Sequence, residues 1–511
     1  MKQLFSKIFS RVTLVGFFIV IQILALSAAI ILFGNYFAYF YGFCLLLSAA
    51  IVIHIVNGNS NPSYKIAWII PIMALPVFGS LLYLVFGKNR LSRREQAKMR
   101  SLTEKFRAAM STDSSATGLL KAEHPEAALM SNYIRHASAT PVFNRTETAY
   151  LPVGEVYFSA LTEELKKARK FIFLEYYIIQ SGRMWDEIHA ILVEKAQQGL
   201  DVRVMYDDFG CMFKLPDGYD KILEAEGVHA CIFNRFLPIL SSRFNNRDHR
   251  KIAVIDGNVG FTGGINFADR YINAGGYEGH WLDSGVLLRG EAVWALTAMF
   301  LSIWDFVTQQ DDLFSKYAPD PAFLKTVSND GFVQPFTDTP LDSESTGETV
   351  YMNIINRAQK YVYINTPYLI IDNEMITALT TAAKCGVDIR LVTPAKSDSK
   401  LVQEMTRSYY QQLMEAGVKI YEYTPGMVHA KTFVSDDRFG VVGTINLDYR
   451  SLFLHFECAA WMYATSAVTT MKDSFLEELT VCIPVTPEMC REQSRFQLIK
   501  RGILRVLAPL F

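Results

Sequence analysis

One short pattern occurs twice, and that repeat constrains the fold more than any other feature of the chain. His249-Arg250-Lys251 is followed by Asp256, and His429-Ala430-Lys431 by Asp436, so both copies read HxKxxxxD. A glycine-led asparagine comes after each: Gly263 to Asn266 reads GGIN, and Gly443 to Asn446 reads GTIN. His249 and His429 are separated by 180 positions, and so are Asn266 and Asn446. A lone HxK is noise, whereas two blocks in one register imply an internal duplication and two homologous lobes. Two histidines brought together divide a substitution at phosphorus into two steps, with lysines and asparagines holding the phosphate oxygens.

The surroundings of the motifs repeat in the same order. Residues 170–179 (KFIFLEYYII) read as a strand, MWDEIHAILVEKAQQG as an amphipathic helix, and 201–208 (DVRVMYDD) as the next strand. In the second half KYVYINTPYLI (360–370), EMITALTTAAKCG and VDIRLVTP (387–394) follow the same plan. The predicted class is α/β, with two homologous lobes, each a mixed sheet flanked by helices. HRKIAVIDG and HAKTFVSDD put His and Lys at i and i+2, on one face of a strand that turns at Asp-Gly or Asp-Asp. The following glycines allow close backbone approach, so Asn266 and Asn446 join that face. Each lobe thus supplies half a site, and packing about a pseudo-twofold axis unites the halves.

A chain of 511 residues exceeds a single core. Charge is balanced, 50 Lys+Arg against 51 Asp+Glu, and there is no basic and aromatic strip of the kind that lines nucleic-acid grooves, so no nucleic-acid partner is expected. The seven cysteines are scattered without a CxxC pair, which favours reduced thiols over a disulfide framework. No cluster has metal-ligand spacing and no Walker-type loop is present, so neither metal nor cofactor is expected.

Apolar residues concentrate near the N-terminus, in runs at 12–33, 36–56 and 66–86, the last containing Pro71, Pro76 and Gly79. Each is long enough to cross a bilayer as a helix, and a multi-pass membrane protein is expected. A cleaved signal peptide is the alternative for the first run, but apolar sequence continues past its ALSAA end. Lys88, Arg90, Arg93, Arg94, Lys98, Arg100, Lys105 and Arg107 then face only Glu95 and Glu104, which puts the lobes on the cytoplasmic side. Basic residues before the first run favour the same side, so one of the three runs is re-entrant or interfacial, or the weaker N-terminal signal is overridden. The expected divisions are 1–87 transmembrane helices, 88–139 a basic juxtamembrane linker, 140–330 the first lobe, and 331–511 the second lobe. From Arg491 the C-terminus reads as an amphipathic helix, suited to the membrane surface or to packing on the second lobe.

After residue 140 these motifs resemble the phospholipase D superfamily over most of the chain, and within it the bacterial cardiolipin synthases. The likeness rests on the duplicated motif, on Trp68, Pro76, Gly79, Tyr83, Phe86 and Gly87, on TPY at 366–368, and on HAKTFVSD, GTINLDYRS and FE in the second lobe. A third apolar run departs from that group's usual two spans. The resemblance implies phosphatidyl transfer between two phosphatidylglycerol molecules, giving cardiolipin and glycerol through a phosphatidyl-histidine. His249 and His429 are the catalytic pair, with His249 favoured as nucleophile by family habit. Lys251, Lys431, Asn266 and Asn446 hold the non-bridging oxygens. Carboxylates that fix the histidine tautomers are sought at Glu457, 28 positions after His429, and at Asp283, 34 after His249, with Glu278 as rival in the first lobe. Asp256 and Asp436 complete the catalytic motif but are read as mostly structural, through turn hydrogen bonds. His280 and His455 lie near the motif strands and are minor candidates for lining the pocket, but they, like the other histidines, are read as ordinary core or surface residues. The alternatives are transfer to water, serine or ethanolamine, a membrane-anchored nuclease, and a non-catalytic scaffold.

Overall fold

The repeated strand-helix-strand pattern folds as two sheets of one design. The computed structural model describes residues 37–87, 93–111, 115–235, 246–277, 279–342, 344–491 and 495–510, with scattered positions before residue 37. The first apolar run and Glu278 therefore lie largely or wholly outside the described residues. The first lobe carries β1 (Thr146–Leu151), β2 (Phe171–Tyr176), β3 (Asp201–Asp207), β4 (His229–Phe233), β5 (Lys251–Ile255), β6 (Val259–Gly263), a short β7 (His280–Leu282) and β8 (Gly285–Gly290). Its sheet runs β1-β8-β6-β5-β2-β3-β4. The second lobe carries β9 (Phe332–Asp338), β10 (Tyr361–Asn365), β11 (Leu369–Ile370), β12 (Asp388–Pro394), β13 (Lys419–Tyr423), β14 (Gly426–Val428), β15 (Thr432–Ser435), β16 (Phe439–Gly443), β17 (Leu447–Asp448), β18 (Glu457–Tyr463) and β19 (Cys482–Pro484). Its large sheet runs β9-β18-β16-β15-β10-β12-β13-β19, so the two sheets match strand for strand until β19 adds an edge.

In both sheets the central strands pair in parallel, β2 with β3 and β10 with β12, and their residues are almost all buried because the parallel core is covered on both faces. The motif strands β5 and β15 add antiparallel to β2 and β10. Each lobe has a core of its own, around Trp185 and Leu192 in the first and Tyr351 and Leu379 in the second. A further core is shared: Phe173, Val254 and Phe300 of the first lobe pack in one cluster with Val392, Val434 and Ala460 of the second. That common core fixes how the two half-sites meet.

The described residues between 93 and 138, expected as a basic juxtamembrane linker, are largely helical. They form helices Arg93–Met110, Ser115–Glu123 and Pro125–Ser138. Leu102, Phe106 and Met110 recur every fourth residue and are buried, the last two in the shared core. Ala116, Leu120, Met130 and Ile134 enter the core of the second lobe. The basic residues between them are used as well. Lys105 bridges Asp305 at 2.8 Å and Asp311 at 2.6 Å, and Lys98 donates to the Asp305 carbonyl at 2.9 Å.

At the N-terminus stand α1 (Phe37–Asn57), α2 (Pro62–Ala74) and α3 (Pro76–Phe86). The third apolar run is thus not one helix. Pro76 has no N–H to continue the ladder, and Leu75 leaves helical geometry at φ −133° and ψ 75°. The chain folds back so closely that a Cβ on Gly79 would come within 2.4 Å of the Pro71 carbonyl oxygen. Among the described residues no helix is long and apolar enough to cross a membrane. Ile51, Ile55, Trp68, Ile72 and Tyr83 hold the three helices together, and Asn61 donates to Asp372 of the second lobe at 2.7 Å. The C-terminal helix Arg495–Leu507 packs on the second lobe through Leu504, with Arg501 3.2 Å from Glu404, while Ile499 and Ile503 stay exposed.

The motif aspartates sit at the far ends of their strands. Asp256 accepts from the backbone N–H groups of Arg169 (2.9 Å), Lys170 (2.7 Å) and Phe171 (3.0 Å), which ties the β5 turn to the start of β2. Asp436 does the same for Gln359 (2.7 Å), Lys360 (2.9 Å) and Tyr361 (2.9 Å) at β10. Both adopt left-handed backbone, φ 54° and 55°, which Asp and Asn tolerate better than most residues. Each carboxylate thus accepts three hydrogen bonds in this clamp, at the opposite end of its strand from the histidine. We expect Asp256→Asn, which keeps the tolerance of positive φ, to lower the melting temperature slightly and to keep the activity per folded molecule. Asp256→Ala should lose about 1.5–3 kcal/mol, as for hydrogen bonds to a charged group. An Asp256→Asn protein with normal melting but no turnover would instead put this carboxylate in the chemistry.

Candidate active site

Each motif histidine is positioned by the other lobe. The His249 N–H donates to the Phe456 carbonyl at 2.9 Å and the Phe456 N–H to the Arg247 carbonyl at 2.9 Å, so the next residue, Glu457, is brought to the imidazole. In the reciprocal ribbon β14 pairs in parallel with β7, and the His429 N–H donates to the Leu282 carbonyl at 2.7 Å, so Asp283 comes next. His249 Nδ1 lies 2.9 and 3.0 Å from the two oxygens of Glu457, and His429 Nδ1 lies 2.6 Å from Asp283 Oδ2. The two carboxylates singled out in the sequence do reach the histidines. Their assignment is crossed, however: Glu457 serves His249, and Asp283 serves His429. Spacing along the chain paired each with the histidine of its own lobe, because it cannot register contacts across an interface.

Both imidazoles are about 93% buried, at 7% exposure, and Lys251, Lys431, Asp283 and Glu457 are essentially inaccessible. Lys251 and Lys431 fold back to the carbonyl oxygens of His249 and His429. Burial lowers Lys251 to about 7 and Lys431 to about 8, against the pull of the two carboxylates. Burial likewise lowers His249 to about 4 although Glu457 pulls the other way, and it holds His429 well below the usual imidazole value with help from Lys431 and Lys251. Burial and the neighbouring lysines therefore keep the unliganded His429 ring neutral near pH 7.

The two dyads differ at one pair of equivalent positions. Gly264 in the first lobe is replaced by Thr444 in the second. A Cβ on Gly264 would lie 2.1 Å from Asp283 Oδ1, so the short aspartate sits where a side chain has been removed. Thr444 instead donates its hydroxyl to Glu457 Oε2. Burial works against ionised Glu457, yet the charge and hydrogen bond of His249, with His455, outweigh it and hold the carboxyl well below the ordinary range. Asp283 has the Ser284 N–H at 2.8 Å and the Lys431 charge, but burial pushes it up to about 7. Lys431 Nζ also lies 2.8 Å from His429 Nδ1, so that nitrogen stands between an ammonium and a carboxylate. The proton there is less firmly placed than on His249.

Asn266 is buried, accepting from the Ile178 N–H at 2.9 Å and donating to Tyr271 Oη at 2.9 Å. Asn446 is also buried, and its Oδ1 has no hydrogen-bond partner among the described residues. Several neighbours escaped the sequence reading. Tyr177 packs edge-on to His249 with ring centroids 5.0 Å apart, and Tyr271 (5.4 Å) and Trp281 (5.6 Å) wall His429. His455, read as an ordinary histidine, lies 5.5 Å from the His249 ring and 3.7 Å from Glu457 Oε1, two residues before that glutamate. The donor atoms of His249, His455 and Glu457 lie within 4.8 Å of one another, a spacing compatible with a metal ion. The hydrogen bond of His249 Nδ1 to Glu457 directs that donor to the carboxylate. His280 bonds to Tyr423 Oη at 2.9 Å instead.

Two carboxylate-bound histidines, contributed reciprocally by duplicated lobes and flanked by buried lysines, define a two-histidine phosphodiester-transfer enzyme. Comparison with known proteins agrees. The family model described as cardiolipin synthase, PLD-like domain matches residues 161–304 and 351–479, and one described as phospholipase D-nuclease N-terminal matches 46–88. The cardiolipin synthase of Geobacillus kaustophilus is 35% identical over 91% of this chain and 92% of its own length. Cardiolipin synthase 2 of Bacillus cereus is 35% identical over 88% of each chain, and an uncharacterized protein of Streptococcus mutans is 41% identical over 90% of this chain and 99% of its own. The chain belongs to the cardiolipin synthase family with phospholipase D-like domains. A crystal structure of phosphatidylserine synthase from Haemophilus influenzae shares the fold, with a TM-score of 0.55 at 14% identity over 74% of this chain and 99% of that one.

The buried lysines set a pH dependence. Each carries its charge below its own pKa and loses it as pH rises through about 7 to 8. We expect kcat/KM, which reports the free enzyme, to fall across that window, with the protonated form competent. A limb that begins only near pH 10, the ordinary lysine range, would show that burial does not tune these groups. Lys431→Gln should cut turnover by about 100- to 1000-fold, as for loss of one donor to a transition-state oxyanion.

Proposed function

We propose that this protein is a cardiolipin synthase that joins two phosphatidylglycerol molecules and releases glycerol. The observation that carries the reading is the reciprocal pair of carboxylate-bound imidazoles in a chain of this family. With Nδ1 engaged, each ring offers Nε2 to the phosphorus. The unequal dyads favour His249 as nucleophile, because a firmly anionic Glu457 stabilises the charge that its ring acquires on attack. In the first step His249 Nε2 bonds to phosphorus, the phosphorus–glycerol oxygen bond breaks, and His429 delivers the proton to the departing glycerol. In the second, neutral His429 takes the proton of a primary hydroxyl on another phosphatidylglycerol, whose oxygen displaces His249. One phosphodiester is exchanged for another, so the step needs no nucleotide.

His429 must be protonated to begin, although it is neutral in the unliganded site. An anionic phosphodiester entering between the lysines raises its proton affinity, and Asp283 and Lys431 are the adjacent groups able to supply the proton. Lys251, Lys431, Asn266 and Asn446 are proposed to hold the non-bridging oxygens.

We also assign the N-terminal region to the membrane, with the lobes on its cytoplasmic side. Two apolar runs of spanning length at 12–33 and 36–56 support this, as do the basic residues after position 87. Tyr39, Phe43, Leu46, Ile53, Ile66 and Met73 expose a broad apolar surface.

Purified protein given phosphatidylglycerol alone should produce cardiolipin and glycerol in equal amounts by mass spectrometry. Abundant phosphatidic acid without cardiolipin would sink the reading. His249→Ala and His429→Ala should each abolish synthesis. Glu457→Gln should reduce turnover by about 10⁴-fold, the cost of losing the carboxylate that fixes a catalytic histidine. Only His249 should yield a phosphate-labelled peptide on acid-free trapping.

A further inference from the structure

Two arginines repeat with the motifs. Arg270 and Arg450 are 180 positions apart, each four residues after its lobe's asparagine. Arg270 occupies the 3-10 turn Asp269–Ile272. Its Cζ lies 4.8 Å from the Trp281 ring and 5.2 Å from the Tyr271 ring, the two aromatics that wall His429. Its charge acts on both His429 and Asp283. Arg270 Nε is buried with no hydrogen-bond partner, while the guanidinium shares a hydrogen bond with Tyr271 and feels the charge of Asp398. Arg450 acts on Tyr177, the ring beside His249.

The proposed product contains two phosphodiesters joined by a three-carbon bridge. The histidines and buried lysines enclose one of them. The acceptor lipid brings another phosphate, one glycerol away from the phosphorus under attack, on the side of the base that takes its hydroxyl proton. That base is His429, and the cation behind its aromatic wall is Arg270. A planar guanidinium matches a phosphate bidentately, and cation–π contact with Tyr271 and Trp281 holds it beside the His429 wall. We infer that Arg270 holds the phosphate of the acceptor phospholipid and so selects an anionic lipid over a simple alcohol. The inference rests on the synthase reading. During transfer the acceptor oxygen bonds to phosphorus as the phosphorus–His249 bond breaks, the electron pair returns to the imidazole, and the proton passes to His429. Arg270 makes no bond to the reacting atoms.

The test uses the full chain in vesicles of labelled phosphatidylglycerol, with methanol as competing acceptor. Methanol brings no phosphate. The readout is the ratio of cardiolipin to phosphatidylmethanol, which does not depend on how much of the protein is folded. Arg270→Gln should lower that ratio about 30-fold or more, the lower end of what a truncated buried charge pair costs, and any effect of the lost charge on His429 falls on both products and cancels in the ratio. Arg270→Lys, which keeps a charge but not the fork, should lower it less. If the glutamine protein loses both products, the lysine protein decides. An unchanged ratio in whichever variant turns over overturns the inference. Phosphatidylmethanol without cardiolipin from the unsubstituted protein removes the synthase reading itself, a result told apart because it needs no substitution.

Discussion

The structure depends on a hydrogen bond made twice, from the imidazole of one lobe to the carboxylate of the other. Neither lobe holds a complete dyad. Glu457 reaches His249 because Phe456 exchanges backbone hydrogen bonds with the strand that carries the histidine, and Asp283 reaches His429 because β7 pairs with β14. These ribbons hold register only while the sheets keep their relative position, and the shared core of Phe173, Phe300, Val392 and Ala460 keeps it. Packing at that core and chemistry at the interface are therefore coupled. A cavity opened beneath the sheets acts on the dyads through backbone register.

Burial explains both the charge states and their cost. Two lysines, two carboxylates and two imidazoles share a volume that only the imidazoles open to solvent, where each unpaired charge is expensive. The lysines answer by folding onto the carbonyl oxygens of their own histidines and by losing basicity. In the proposed mechanism an anion entering between Lys251 and Lys431 raises the basicity of the lysines and of the imidazoles together. Substrate binding thus prepares the acid that the first step requires.

Much of this was legible in the chain because the repeat is a statement about two places at once. The duplicated HxKxxxxD and its asparagine gave the lobes, their sheets and the half-site residues, and turn chemistry pointed to a structural role for Asp256 and Asp436. Crossing of the dyads was not legible, since distance along the chain says nothing about contact across an interface. Helix Arg93–Met110 was hidden by composition: eight basic residues between 88 and 107 masked Leu102, Phe106 and Met110 at helical spacing. The apolar run 66–86 was long enough for a span, but Pro76 breaks it and Gly79 lets it fold back. His455 had a local signal in its place two residues before Glu457, and chance spacing was the simpler reading of it.

The departure from symmetry carries the last step of the argument. In the proposed reaction the donor and acceptor are the same kind of lipid, and the group that protonates one alcohol deprotonates the next. A duplicated site suits such an exchange, since each half meets a similar headgroup from opposite sides. A perfectly symmetric site would leave both imidazoles equally able to attack and neither committed to moving protons. One substitution, Thr444 where the first lobe has Gly264, removes that degeneracy. It adds a hydroxyl donor to Glu457, which His249 and His455 hold well below the ordinary carboxylate range, while burial keeps Asp283, against bare backbone, near the point of protonation. The fold supplies two equivalent histidines, and in the proposed mechanism the unequal carboxylates across the interface divide nucleophile from proton carrier.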